Sequence, residues 1–433
     1  MEKSHQSKAI GEEPGASPKL GWSNNLKRGR VPGPRMKEHR MVPEGLGEST
    51  KAVHAGTYED PVTGAVGTPI FQSSTFHFSD HTYASFSQGL IRDVPIYTRY
   101  GNPSVWSVQE KIASLENGES CALFSSGMAA IVSALVALTN RGGHIISSQD
   151  VYGGTYNFLH EDIHQLGREV SFVNPVDMDE IRRSVKPNTQ VLFFESLTNP
   201  LLKAAPLPEL AALAEEKNLL LIVDNTFLSP YCLRPLDFGA HISIHSCTKY
   251  MNGHSDLVAG AATGSRKYVD RVWSQMLKFG GSVNPMTAFL LERGLKTLPL
   301  RMKAHIENAN RIASHLAEHP KALKVHHPSL VDYPYRWIDS YCANGFGGMV
   351  SFEIDGGNEA ALRFLDHLRV PVVATSLGGV ESLVSLPFNT SHSFLTEKQR
   401  ESVGILPGLV RFSAGIEDAK DLIEDINQAL ERV

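Results

Sequence analysis

The chain has 433 residues, with 41 Lys+Arg against 46 Asp+Glu and a net charge of −5. Apolar residues make up 42% and charged residues 20%, which excludes wholesale disorder, and the charge gives no reason to expect nucleic acid or an anionic membrane as partner. At about 150 residues per domain the length suggests two or three domains. The most apolar stretches, Ala129–Leu138 and Leu219–Val223, fall short of the roughly 20 residues that span a bilayer. Cys121, Cys232, Cys247 and Cys342 stand far apart without a CxxC pair, which points to a reduced, cytoplasmic compartment.

Residues 1–48 are rich in Pro, Gly and Ser, show no apolar period, and carry a basic cluster of Lys27, Arg28, Arg30, Arg35, Lys37 and Arg40. They read as a solvated extension rather than an address. No apolar h-region is present, and Glu12 and Glu13 are out of place in a transit peptide. From Val105 to about Gly294, β-rich runs (HIISSQ, VSFVNP, QVLFFES, LLLIVDN, ISIHSC, VAGAATG) alternate with helical stretches. Among these are the segment opening at SSGMAAIVSAL, DMDEIRRSV and PLPELAALAEEKN. This alternation predicts a mostly parallel sheet covered on both faces. The stretch LERGLKTLPLRMKAHIENANRIASHLAEHP reads as one long helix. Beyond it GGMVSFEID, VPVVATSLG and LVRFSAG read as strands interleaved with the helices GNEAALRFLDHL and DAKDLIEDINQALE, a smaller α+β domain.

Ligands of open α/β sheets bind beyond the carboxyl ends of the strands, and three candidate positions lie there. Asp224 closes LLLIVDN, an acid directly after an apolar run, and reads either as a loop ion pair or as the partner of a buried cation. Lys249 follows the strand ISIHS, just after two hydroxyls on alternate positions, Ser246 and Thr248. Gly127 and Met128 open a helix whose first N–H groups favour a phosphate. A carboxylate for a pyridinium, a lysine for an aldehyde and a helix terminus for a phosphate together match pyridoxal phosphate. Tyr152, before two glycines, reads as a turn residue or as an aromatic face for the pyridine ring. No Rossmann, P-loop or nucleophile-elbow motif competes. His241 and His245 lie on one strand without an acidic or Cys neighbour in sequence, which argues against a metal site.

Eight strings carry a resemblance: YTRYGNP (97–103), SSGMAA (125–130), DVYGGT (150–155), VDNTF (223–227), SCTKYMNGHSD (246–256), GLKTLPLRM (294–302), SLGGVESLVSLP (376–387) and LVRFSAGIED (409–418). In order and spacing, from about Ser49 to the C-terminus, they resemble the trans-sulfuration (Cys/Met-metabolism) family of fold-type-I pyridoxal-phosphate enzymes. Its members include cystathionine γ-synthase, cystathionine γ-lyase, methionine γ-lyase and O-acetylhomoserine sulfhydrylase. The resemblance implies an aminotransferase-like α/β fold. An N-terminal arm (49–104) would serve a neighbouring subunit's site, followed by a large cofactor domain (105–293) and a C-terminal α+β domain (294–433).

It also implies roles. Lys249 would bind the cofactor covalently and shuttle protons, Asp224 would face the pyridine nitrogen, and Tyr152 would stack on the ring and act as an acid. Gly127, Met128, Ser246 and Thr248 would hold the phosphate, joined by Tyr97 and Arg99 from a neighbour in a homotetramer of two catalytic dimers. Arg411, at the end of its strand, would grip the substrate α-carboxylate with Asn199 and Ser376. The chain departs from the cystathionine enzymes at Asn157, where they have arginine, and at Thr375, where they have glutamate. Gly154 replaces the cysteine usual in methionine γ-lyases. An uncharged Asn157/Thr375 pair would leave the distal charged end of cystathionine poorly met. The expected substrate is therefore a small γ-substituted amino acid such as O-acetylhomoserine or methionine, undergoing γ-elimination or γ-replacement.

Overall fold

The computed structural model describes residues 43, 45–390, 398, 400 and 403–433. Most of the N-terminal extension, with its basic cluster, lies outside the described residues. The chain enters through α1 (Glu48–His54) and α2 (Asp80–Ser87), joined by a long irregular stretch. Helix α3 (Pro103–Leu115) follows, capped by the Asn102 side chain, with Pro103 in the first turn where its missing N–H costs nothing.

The large sheet takes β1 (Ser120–Phe124), then α4 (Gly127–Leu138), β2 (His144–Ser148) and α5 (Gly153–Asn157). It continues with β3 (Glu169–Val173), α6 (Met178–Arg183), β4 (Thr189–Glu195), α7 (Leu207–Glu216) and β5 (Leu220–Asp224). The short α8 (Ser229–Cys232), β6 (Ile242–Ser246) and β7 (Gly260–Gly264) complete it. The spatial order is β1-β7-β6-β5-β4-β2-β3. Only β7 runs against its two neighbours, so the expected mostly parallel sheet is present. Successive residues of β4 feed opposite faces. Val191 and Phe193 pack with Ile131 and Leu135 of α4, whereas Leu192 and Phe194 join a core that includes Leu210 and Leu213 of α7. This is why the central strands read as unbroken apolar runs.

Helices α9 (Arg266–Phe279), α10 (Pro285–Leu295) and α11 (Leu298–Ala317) lead to the second sheet. The single long helix expected from Leu291 onward is in fact two, broken at Lys296 and Thr297. Pro299 lies in the first turn of α11 because a proline cannot donate inside a continuous helix. The second sheet holds β8 (Ala322–His326), β9 (Met349–Ile354), β10 (Val372–Val373), β11 (Leu383–Ser385) and β12 (Leu409–Ser413), in the order β10-β11-β12-β9-β8. Helices α12 (Gly357–His367) and α13 (Ala419–Leu430) cover it together with α11. The strand expected over VPVVATSLG shrinks to two residues, and the chain then turns through Ser376 at φ 86°. Strands β1, β8 and β11 and helices α1, α2, α3, α5, α8 and α9 lie outside the elements the sequence leads one to expect.

One buried cluster reaches from β4 and β5 to Met302 on α11, Met349 on β9 and Leu377, so apolar packing is continuous between the two sheets. Among the described residues no helix is long and apolar enough to cross a membrane. All four cysteines are buried and unpaired. His245 does have an acidic partner: its Nε2 meets Glu116, which lies 129 residues away in sequence and only the fold brings near.

Candidate active site

Six parallel strands end on the same edge of the large sheet, and a cavity of about 620 Å³ opens between that edge and the second sheet. Gly127, Met128, Tyr152, Asn199, Asp224, Ser246, Thr248, Lys249, Thr375, Ser376 and Arg411 all line it. Residues from seven separate stretches of sequence thus meet at one site.

At its base, Ser126 caps α4 by accepting from the Ala129 N–H at 3.0 Å. The first N–H groups of that helix, on Gly127 and Met128, have no acceptor within it. A Cβ on Gly127 would sit 2.9 Å from Ser246 Cβ, so only glycine lets the helix start approach the end of β6 this closely. The Ser246 hydroxyl lies against that terminus. The Thr248 hydroxyl donates to the Ala259 carbonyl at 3.2 Å and accepts from its N–H at 3.1 Å, so it must turn to serve an anion.

Asp224 ends β5 almost fully buried. Its Oδ1 accepts from the N–H (3.0 Å) and the hydroxyl (2.5 Å) of Thr226, whose oxygen also accepts from Ser246 N–H at 2.9 Å. Burial pushes the Asp224 carboxyl up, and the Thr226 hydrogen bonds oppose that rise. Thr226 was not singled out from the sequence, although it lies within VDNTF.

Lys249 Nζ donates to Ser376 Oγ at 2.6 Å. Burial lowers its pKa to about 8, and the charge of Arg411 acts in the same direction. Arg411 is the middle residue of β12 rather than its end. One guanidinium nitrogen donates to Asn199 Oδ1 at 3.2 Å and another to the Ser376 carbonyl at 2.9 Å. Burial lowers its pKa to about 10, so it stays a cation at neutral pH. The left-handed backbone of Ser376 lets its hydroxyl meet Lys249 while its carbonyl meets Arg411.

Tyr152 is 47% exposed at the rim of the cavity. A Cβ on Gly154 would come within 2.8 Å of its ring, so glycine there leaves the ring its place. The cavity also holds Glu195, which the sequence reading missed. Glu195 closes QVLFFES as Asp224 closes LLLIVDN, and the same signal, an acid ending an apolar strand, could have found it. Three expected residues are not at the cavity. Asn157 ends α5 away from the lining, so the distal-clamp argument rests on Thr375 alone. Tyr97 and Arg99 are exposed, and the Arg99 guanidinium lies 5.7 Å over the Tyr97 ring and 5.6 Å over Tyr100, outside the cavity of their own chain.

A helix terminus with two hydroxyls, a buried carboxylate, a lysine of lowered pKa and an aromatic rim match the phosphate, pyridine nitrogen, aldehyde and ring of pyridoxal phosphate. Fold and site thus define a pyridoxal-phosphate enzyme of the aminotransferase-like α/β class. The family model for Cys/Met metabolism PLP-dependent enzymes matches residues 49–431, and the chain belongs to that family. It is 37% identical over 399 residues to an L-methionine gamma-lyase of Treponema denticola (91% of this chain, 99% of that protein). It is 41% identical over 390 residues to a cystathionine gamma-lyase of Bacillus subtilis (89% and 100%). The crystal structure of cystathionine gamma-lyase from Lactobacillus plantarum complexed with L-serine superposes with a TM-score of 0.84 at 35% identity, covering 90% of this chain and 99% of that one. The chain is a pyridoxal-phosphate-dependent enzyme of the trans-sulfuration group of lyases and transferases.

Proposed function

We propose that the enzyme acts on a small γ-substituted L-amino acid of the homoserine or homocysteine series, such as an O-acylhomoserine or methionine, by γ-elimination or γ-replacement. The observation that carries this reading is the charge inventory of the cavity. Its charged lining side chains, among the described residues, are Glu195, Asp224, Lys249 and Arg411. Lys249 is taken by the cofactor, Asp224 by the pyridine nitrogen and Arg411 by the α-carboxylate. Glu195 is held by two backbone N–H groups. No cation remains for a second carboxylate, and Thr375 offers only a hydroxyl at the rim. An unmatched charged end costs affinity, which disfavours cystathionine.

When bound, the cofactor supplies a sink for the electron pairs released at Cα and Cβ of the substrate. Gly127 and Met128 N–H groups with the Ser246 and Thr248 hydroxyls hold its phosphate, and Tyr152 covers its ring. Arg411, oriented by Asn199 and Ser376, fixes the α-carboxylate by charge-assisted hydrogen bonds. That fixes Cα–H beside Lys249, whose amine, once free, takes the proton, and burial favours the neutral form that this needs. Lys249 carries protons between Cα and Cβ, and Tyr152 is the acid that meets the departing γ-group. Hydrolysis then yields a 2-oxo acid and ammonia, unless a nucleophile captures Cγ first.

Tyr97 and Arg99 are read as phosphate ligands for a second copy, in a homotetramer of catalytic dimers. Their outward position supports this, as do the exposed apolar side chains along the same arm: Val62, Val66, Tyr83, Phe86 and Leu90. The buried, unpaired cysteines fit a cytoplasmic setting.

A second reading, lysis or synthesis of cystathionine, is favoured by the similarity to the B. subtilis cystathionine gamma-lyase. The deciding experiment incubates the holoenzyme with L-cystathionine, L-methionine or O-acetyl-L-homoserine, each with and without sulfide. It compares the 2-oxobutanoate, cysteine and homocysteine formed. Faster turnover of methionine or O-acetylhomoserine is expected, and cystathionine turning over far faster than both would reverse the substrate assignment.

A further inference from the structure

Glu195 is a buried carboxylate at the heart of the cavity that the reaction as described does not use. Strands β4 and β5 pair in parallel with Glu195 directly opposite Asp224, so two acids end adjacent strands on the same sheet face. Glu195 is 6% exposed, and no Lys or Arg pairs with it among the described residues. Burial and the neighbouring Asp224 push its carboxyl well above the ordinary range. Such a group is costly to keep. Its two oxygens face two loops: Oε1 accepts from the Tyr152 N–H at 2.6 Å, and Oε2 from the Asn199 N–H at 3.2 Å.

The residues at those two N–H groups stand on opposite sides of the chemistry. Tyr152 follows β2 and carries the aromatic face. Asn199 follows β4, and its side chain takes a hydrogen bond from Arg411, which reaches Ser376 and through it Lys249. Glutamate is the residue type this junction requires. Both of its carboxyl oxygens accept from a backbone N–H here, whereas glutamine of the same size accepts on one and turns an NH2 donor towards the other N–H. We propose that Glu195 is a positioning residue that locks the Tyr152 face and the Asn199–Arg411 carboxylate corner in register across the cavity. The proposal rests on the roles of Tyr152 and Arg411 given above, and deepens them.

The test uses Glu195→Gln holoenzyme beside wild type. Loss of one acceptor at a buried N–H is expected to weaken binding of glycine, a carboxylate probe with no γ-substituent, by about tenfold in a spectral titration. KM for the amino-acid substrate should rise by a similar factor, and the visible circular dichroism of the bound cofactor should diminish as Tyr152 shifts. Wild-type glycine affinity together with an unchanged dichroism band would overturn the proposal. If Glu195→Gln does not fold, amide hydrogen exchange on wild-type holoenzyme decides. Joint protection of the Tyr152 and Asn199 amides supports the proposal, and free exchange of either overturns it. Borohydride fixation of the wild-type enzyme separates the two levels. Cofactor recovered on a lysine other than Lys249 sinks the site assignment itself, whereas fixation on Lys249 with an indifferent Glu195→Gln sinks only the present inference.

Discussion

Lys249 is the group whose chemistry the fold changes most directly. Burial, assisted by Arg411, lowers its pKa from 10.5 to about 8. At pH 7 that raises the share of neutral, nucleophilic amine by about 300-fold over an ordinary lysine, from roughly 0.03% to about 9%. The rate at which cofactor-free enzyme captures pyridoxal phosphate should therefore climb about tenfold per pH unit from pH 6.5, bend near pH 8 and stay flat above it. Stopped-flow absorbance of the visible band measures this. Arg411→Gln, by removing the second cause, should move the bend to higher pH.

The same linkage acts on stability. The charged amine is the disfavoured form in the fold, so its cost is present in full below pH 8 and relieved as the pH rises towards 10.5. Cofactor-free wild type should gain up to about 3 kcal/mol over that window relative to Lys249→Met, which has no amine to titrate. A capture rate that keeps rising tenfold per unit to pH 10, with no stability difference from Lys249→Met, would refute the claim that the cavity activates this lysine.

Gly127→Ala should leave the fold intact but weaken cofactor binding by about ten- to a hundredfold, because its Cβ would drive the start of α4 away from Ser246. Equilibrium dialysis reads this, and an unchanged dissociation constant would show that the contact is not part of the phosphate cradle. Mixed Arg99→Ala and Lys249→Ala subunits should recover activity that neither has alone, since one hybrid site would carry both native residues. No recovery, with subunit exchange demonstrated, would mean that each site is complete within one chain.

The expected strands β2, β3, β4, β5, β6, β7, β9 and β12 are present because each is an apolar or β-branched run bounded by turn residues, a signal carried locally by the chain. Asp224 and Lys249 could be picked out for the same kind of reason: a charged side chain directly beyond a buried strand has few places to go. Gly294 and Pro299 mark the break between α10 and α11 in the sequence, but the apolar spacing Leu291, Leu295, Leu298, Met302 runs on across it and hides it. Strand β11 is three residues long and carries too little pattern to read.

What sequence could not contain is distance across the fold. Arg411 and Asn199 are 212 residues apart, Lys249 and Ser376 are 127 apart, and their hydrogen bonds exist only once the second sheet closes over the edge of the first. Glu116 beside His245 is of the same kind, an acid that no local spacing could pair with its histidine. Local pattern, in short runs of five to seven residues, determined the parallel sheet, the class of cofactor chemistry and the residues at its strand ends. Tertiary structure alone decided that Asn157 stands apart from them and that Tyr97 and Arg99 face outward. Burial, charge proximity and cavity shape are properties of the assembled sheets, and no single stretch of chain holds them.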